Sequence, residues 1–361
     1  MSEATQEFNP EYDPTGIEGG VDTNLLPWIA IKQAPGMSVK TMRASAETGA
    51  YSVIVKLDAG AKMPSSVYLS GMDMTMLSGQ ITYTQDGQTS TLVPGTWGYI
   101  SANSKVAEMI ASEESEFLAN FYGAVAFLSQ DQSLAAILTS LDIMRLAHNY
   151  GVTLVPSTLS DCIQERPEAL KNNPEPLAIA GLNAQSIVDP LPGDNVQSTG
   201  FNHPHFVDTK QIPWVILPAL PDIGLKILRV SEDNGVISLI VRQNGVADGH
   251  THIGASDFLV LNGHIGYRAG PPNGYGPGVW FFEPSGARHD ATQRVNDDED
   301  LIYTANVYGP LIFDEGKGTP ISAILSWMEY KELASAFGVS LIPSNTPNDS
   351  TLLASAMLTS H

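Results

Sequence analysis

The chain repeats itself, and that limits its architecture more than any other feature. LLPWIAIKQAP begins at Leu25 and QIPWVILPALP at Gln211. VKTMRASAETGAYSVIVKL (39–57) returns as LKILRVSEDNGVISLIVRQ (225–243), and DMTMLSGQITY (73–83) as DFLVLNGHIGY (257–267). GTWGYI (95–100) returns as GVWFFE (278–283), and FYGAVAF (121–127) as VYGPLIF (307–313). AILTSLDIMRLAHNYGVTLVPS (136–157) returns as AILSWMEYKELASAFGVSLIPS (323–344). Matching segments in one order at a nearly constant offset are a duplication. Both halves are expected to take one fold.

Within each repeat, short β-branched or alternating runs such as YSVIVKL and ISLIVRQ are bounded by Gly, Asn, Asp or Pro, the pattern of short strands. AETG and EDNG are hairpin signals, with glycine supplying the positive φ. The 32 glycines and 24 prolines suit so many turns. Evenly spaced short strands predict an all-β fold, a tandem of small jelly-roll barrels. One amphipathic helix is expected to close each repeat, over 134–149 and 320–336, ended by the glycine of YGV or FGV.

The expected boundaries are a tail at 1–20, a first barrel at 21–156, a Pro/Asn-rich linker at 157–205, a second barrel at 206–344 and a tail at 345–361. A formal net charge of −21 argues against nucleic acid or an anionic membrane as partner. The single cysteine, Cys162, excludes an intramolecular disulfide and a multi-thiolate zinc site. With no basic apolar leader and no apolar run of about 18 residues, a cytoplasmic protein is expected.

Histidine is scarce, at eight residues, yet GHTHIGASDFLVLNG (249–263) holds two of them. His250 and His252 are at i and i+2, so a strand would point both imidazoles to one side. GVWFFEPSGARHD (278–290) adds His289 after a PSG turn. Three imidazoles converging inside a barrel would hold one divalent ion and leave positions open. The first repeat has Pro64 and Ser66, or Ser66 and Tyr68, opposite the HxH pair, and Val106 opposite His289. Such side chains build no ligand set, so the first barrel is expected to be metal-free and to act as a packing partner.

Gly278, Pro284, Gly286 and His289 have the spacing of the second cupin motif. His250, His252, Asp257 and Gly263 fit the first motif loosely, with Asp for Glu and a last gap one residue short. The chain therefore resembles a bicupin, a tandem double-stranded β-helix. Its LPW, LR, ETG and HxHxG runs resemble the dihydroxyacetophenone and acetylacetone dioxygenase group, and also the cupin domain of zinc-binding anti-sigma factors. This resemblance covers about 20–130 and 207–315.

It implies one divalent metal at His250, His252 and His289, with Asp257 as a candidate fourth ligand. Because Asp73 keeps that position in the ligand-free repeat, a structural role for Asp257 competes. Iron(II) is favoured, with zinc, nickel or manganese as alternatives, because imidazole does not discriminate. Iron would serve a dioxygenase cleaving a C–C bond of a small diketone or hydroxyketone. The other metals would serve a hydrolase, isomerase, lyase or cyclase. The third reading is a non-catalytic metal-binding module of the anti-sigma type, though no Cys/His-rich helical domain accompanies it.

Glu283, which replaces Ile100 of the first repeat, and Tyr267 are the candidate catalytic residues. A carboxylate there could orient a ligand imidazole or act as general base. Arg242, Tyr303 and Asn306 are further candidates to line the site. Trp280, Phe282, Leu259 and Leu261 are expected to make its surroundings apolar. His203 and His205 form another HxH with an interposed proline, read as an edge or loop segment. The expected partners are a small-molecule substrate and, as a possible assembly, a second copy of the chain.

Overall fold

The computed structural model describes residues 20–85, 88–159, 205–218, 220–267, 271–289, 291–314 and 320–344. Residues 1–19 and 345–361 of the expected tails and nearly all of the linker, with His203, lie outside them, whereas Gly20, assigned to the first tail, begins a strand. Each repeat forms a barrel from a seven-stranded antiparallel sheet closed by shorter strands. The first large sheet runs Phe206–Asp208, Thr96–Ile100, Met72–Ser78, Ser115–Phe121, Tyr51–Leu57, Met37–Ala44 and Ile29–Ala30. The second runs Gly20–Asp22, Val279–Glu283, Ser256–Asn262, Ile302–Val307, Ile237–Gln243, Leu220–Val230 and Val215–Leu217.

The outermost strand of each large sheet comes from the other repeat. Gly20 to Asp22 pair with Phe281 to Val279, and Phe206 to Asp208 pair with Gly98 to Thr96. The chain just after each exchanged strand is pinned in the same way. Asp22 and Asp208 cap one-turn 3-10 helices, Thr23–Leu25 and Thr209–Gln211. Thr23 Oγ1 donates to Gly278 O at 2.7 Å, and Thr209 Oγ1 to Gly95 O at 2.6 Å. Repeat boundaries in sequence and barrel boundaries in space therefore differ.

Alternation along these strands separates two apolar regions. Met72, Met74 and Met76 face the interior of the first barrel with Tyr51, Val53, Phe117 and Phe121. Leu77, Trp97 and Leu118 face the other way, in one cluster with Leu259, Leu261, Trp280 and Phe282. The large sheets thus stack back to back. Across that seam the Arg43 guanidinium lies 3.8 Å from the Phe282 ring centroid, and Arg229 lies 3.7 Å from that of Tyr99. These reciprocal cation–π contacts are charge-to-ring attractions strengthened by desolvation.

The closing helices are shorter than expected, with α1 at Ser140–Asn149 and α2 at Trp327–Ala336. The residues assigned to their first turns are strands, Leu134–Leu138 and Ile321–Leu325, paired to Val125–Leu128 and Leu311–Asp314. Capping boxes stop the helices from extending backwards: Thr139 with Asp142, and Ser326 with Glu329. Each reciprocal cap contributes about 0.5–2 kcal/mol. Gly151 at φ 68° and Gly338 at φ 67° end them as expected. No described helix is long and apolar enough to cross a membrane.

Candidate metal centre

His250 and His252 sit on the strand His250–His252, and His289 on the neighbouring strand Arg288–His289, with His250 directly opposite His289. The shared β-face brings the three imidazoles together inside the second barrel. One ligand atom from each lies within 4.8 Å of the others. His252 Nε2 is 3.3 Å from His289 Nε2. Two nitrogens at about 2.1 Å from one ion, at cis or tetrahedral angles, stand about 3.0–3.4 Å apart, so this pair fits an ion. His250 Nδ1 donates to the Asp248 carbonyl at 2.8 Å, which turns its Nε2 toward the other rings.

Glu283 completes the cluster. Its Oε2 is 2.9 Å from His252 Nε2, and its Oε1 is 3.7 Å from His289 Nε2. Ser256 Oγ donates to Oε2 at 2.9 Å and Tyr267 Oη to Oε1 at 3.3 Å. Burial opposes the charge on Glu283, but His289 and His252 outweigh it and hold the carboxyl well below its usual range. Burial first, then Glu283, push the Tyr267 phenol well up, so it remains a donor. Burial and the neighbouring His289 and His252 drive His250 well down, which keeps it neutral. His252 Nδ1 is buried without a partner while its Nε2 faces a carboxylate and another ring nitrogen. Such an electron-rich cluster calls for a cation, and the residues fit a divalent metal.

Asp257 does not join the cluster. It alternates with Ser256 and Phe258, which line the cavity, and projects through the other face of the sheet. There Asn306 Nδ2 donates to its Oδ1 at 3.3 Å, and Tyr308 donates to its Oδ2. The candidate ligand is thus a structural residue at the seam, as the retained Asp73 hinted. The same alternation puts Leu259, Leu261, Trp280 and Phe282 in the seam and Asn306 beside Asp257, not around the histidines. Arg242 lies 5.2 Å from the Trp214 ring centroid and does not line the cavity. Tyr303 does line it, with its hydroxyl donating to Gln243 Oε1 at 2.7 Å. His205 is buried on the exchanged side, and its carbonyl accepts from Tyr99 N at 2.9 Å.

Strand pairing settles the correspondence of the two halves. Ser66 faces Val106 and Phe127 as His250 faces His289 and Phe313, so Ser66, Tyr68 and Val106 replace the three histidines. Ile100 faces Met72 where Glu283 faces Ser256. Ser256 was missed from sequence, although its exchange for Met72 beside a new glutamate was a readable signal.

A duplicated jelly roll with an inward histidine cluster in one half defines a bicupin. The family model for the ChrR cupin-like domain matches residues 18–126 and 202–308, and the chain belongs to that family. Similar solved structures include a candidate dioxygenase from Nostoc punctiforme, 12% identical, covering 90% of this chain and 89% of that one with a TM-score of 0.50. A variant of oxalate decarboxylase from Bacillus subtilis is 13% identical over 91% and 87%, TM-score 0.45. An acetylacetone dioxygenase from Acinetobacter johnsonii is 15% identical over 41% of this chain and 95% of that one, TM-score 0.31. A comparison with curated proteins returned no match.

Proposed function

We propose that this protein is a metal-dependent cupin enzyme, a non-haem iron(II) dioxygenase that cleaves a C–C bond in a diketone or hydroxyketone. The observation that carries the reading is the convergence of His250, His252 and His289 beside Glu283 in a cavity of the second barrel. Neutral imidazoles leave an iron(II) centre cationic, which suits a substrate that binds as an enolate. When bound, the metal supplies Lewis acidity toward two substrate oxygens and, as iron(II), reducing electrons for dioxygen.

The chain's own residues do the rest. The Asp248 carbonyl fixes the tautomer of His250. Glu283, held by Ser256 and Tyr267, offers carboxylate oxygens to accept the proton lost from an acidic carbon between two carbonyls. The cavity walls exclude water from the reacting carbon.

The test is oxygen uptake with pentane-2,4-dione by protein loaded with iron(II). Uptake is expected in the wild type, with loss in His289→Ala and a fall of about 10²–10⁴-fold in Glu283→Gln. Glu283 also favours a second reading, general-base catalysis on zinc, nickel or manganese as a hydrolase, isomerase, lyase or cyclase. Turnover of such a substrate without oxygen uptake would select it.

A further inference from the structure

The second barrel encloses a cavity, and several of its interior positions carry smaller side chains than their counterparts in the first. In the first barrel Tyr51 stacks on Phe121 at 4.5 Å between centroids, and Tyr68 on Phe121 at 6.2 Å. By the strand registers, their counterparts in the second are Ile237, Val307 and His252. Met72 is likewise replaced by Ser256. Two rings and a thioether are lost, an imidazole replaces the third ring, and the second barrel holds a cavity of about 440 Å³. At about 30 Å³ per non-hydrogen atom, taken from water's share of the liquid, that is room for about fifteen atoms. Pentane-2,4-dione has seven.

The polarity of the cavity is graded. Its buried polar lining is His252, His289, Glu283, Ser256 and Tyr267, with His250 half-buried beside them. The remaining wall is mostly aliphatic, including Leu217, Leu225, Leu239, Val241, Leu325 and Leu333. Its most exposed lining residues include Leu220 and Val246, 46% and 52% accessible, which place the mouth there. Among the described residues no lysine or arginine lines it, and Asp248 lies at the open end. A carboxylate or phosphate tail would find no countercharge, whereas an alkyl chain would bury surface along the whole path.

We propose that the substrate is amphipathic: an uncharged, oxygen-bearing head at the histidine cluster joined to an extended apolar body of about eight or more carbons that runs out between Leu239 and Leu325 toward Leu220. This rests on the dioxygenase reading for the head alone.

The experiment measures dissociation constants by calorimetry for linear 2,4-diketones from pentane to tetradecane. It uses the full chain loaded with iron(II) in oxygen-free buffer, so that nothing turns over. Butan-1-ol and octan-1-ol serve as probes without a chelating head. Affinity is expected to rise about three- to fourfold per added methylene and to level off when the cavity is full. Leu225→Phe, on the aliphatic wall away from the histidine strands, is expected to cut the chain-length gain while keeping metal content and the affinity for pentane-2,4-dione. Ala323→Trp, at the open rim of the cavity, should weaken the long diketones selectively if the barrel variant fails to fold. Equal affinity for pentane-2,4-dione and decane-2,4-dione in the wild type would overturn the apolar body. Octanol binding more tightly than butanol, with no diketone bound at all, would keep the apolar body and overturn the diketone head.

Discussion

Asp73 and Asp257, one from each repeat, share a donor: Asn120 Nδ2 lies 3.1 Å from Asp73 Oδ1 and 3.3 Å from Asp257 Oδ1. Asn306 mirrors it, with its amide nitrogen 3.3 Å from an oxygen of each carboxyl. Tyr122 donates to Asp73 at 2.6 Å, and Tyr308 donates to Asp257. The two carboxyls and the two amides are buried at the seam between the large sheets, and the two tyrosines are half-buried beside them. Two carboxyls so close, out of water, compete to stay ionised.

That competition predicts a pH dependence. Burial first, then Asp73, push Asp257 up to about 7, against the downward pull of Tyr308, Arg43 and Asn306. Burial likewise raises Asp73, against Tyr122, Asn120, Asn306 and Arg229. Unfolded, Asp titrates near 3.9, so between about pH 4 and 7 the native protein holds a proton that the unfolded chain does not. The pair's own contribution to stability should therefore be greatest at the acid end of this window, fall as pH rises and level off above about 7. It is read as the difference between wild type and Asp257→Asn, because the depressed His250 acts in the opposite sense below about 6.5. The slope is at most about 1.4 kcal/mol per pH unit. In Asp257→Asn that slope should be much reduced, as read from urea unfolding at pH 4 to 8. An unchanged slope would show that the pair does not carry it.

Metal content should follow the inner face and ignore the outer one. One divalent ion per chain is expected, lost in His252→Ala and kept in Asp257→Asn. Ser66→Ala should also keep it, because Ser66 stands in the barrel without ligands. Elemental analysis of each variant decides this, and a second equivalent lost in Ser66→Ala would contradict a metal-free first barrel.

Tyr68 occupies the place of His252 in the first barrel, and its hydroxyl is buried without a partner. Tyr68→Phe should be neutral or stabilising by up to about 1 kcal/mol, since an unsatisfied polar atom is removed. Tyr68→Ala should cost about 3–5 kcal/mol through the void left beside Phe121. A loss of more than about 1 kcal/mol in Tyr68→Phe would reveal a partner for the hydroxyl.

The strand exchange has its own probe. A methyl on Gly98 would come within 2.1 Å of Phe206 Cδ1 and 2.8 Å of the His205 carbonyl. Gly98→Ala should lower stability by about 1–3 kcal/mol or more, and Phe206→Ala should recover part of that loss in the double variant. Strict additivity of the two would mean that the strand does not sit against Gly98.

Local order made some of this protein legible before any coordinates. The repeat, the hairpins at AETG and EDNG, the HxH pair and the PSG turn before His289 are patterns within a few residues, and each marks a strand, a turn or a ligand. TSLD and SWME were equally local capping signals, and reading them would have set the helix starts at 140 and 327 instead of 134 and 320. The sequence by itself thus determined a duplicated barrel with one specialised half. The tertiary structure decided what strand alternation leaves open. Ser256 and Asp257 are neighbours on opposite faces, and only pairing with strands far along the chain shows which face is the interior. The same holds for Phe206, which fills the first barrel although it belongs to the second repeat. Backbone hydrogen bonds between distant strands carry no side-chain signature, so neither the exchange nor the emptiness of the second barrel could be read from composition or spacing.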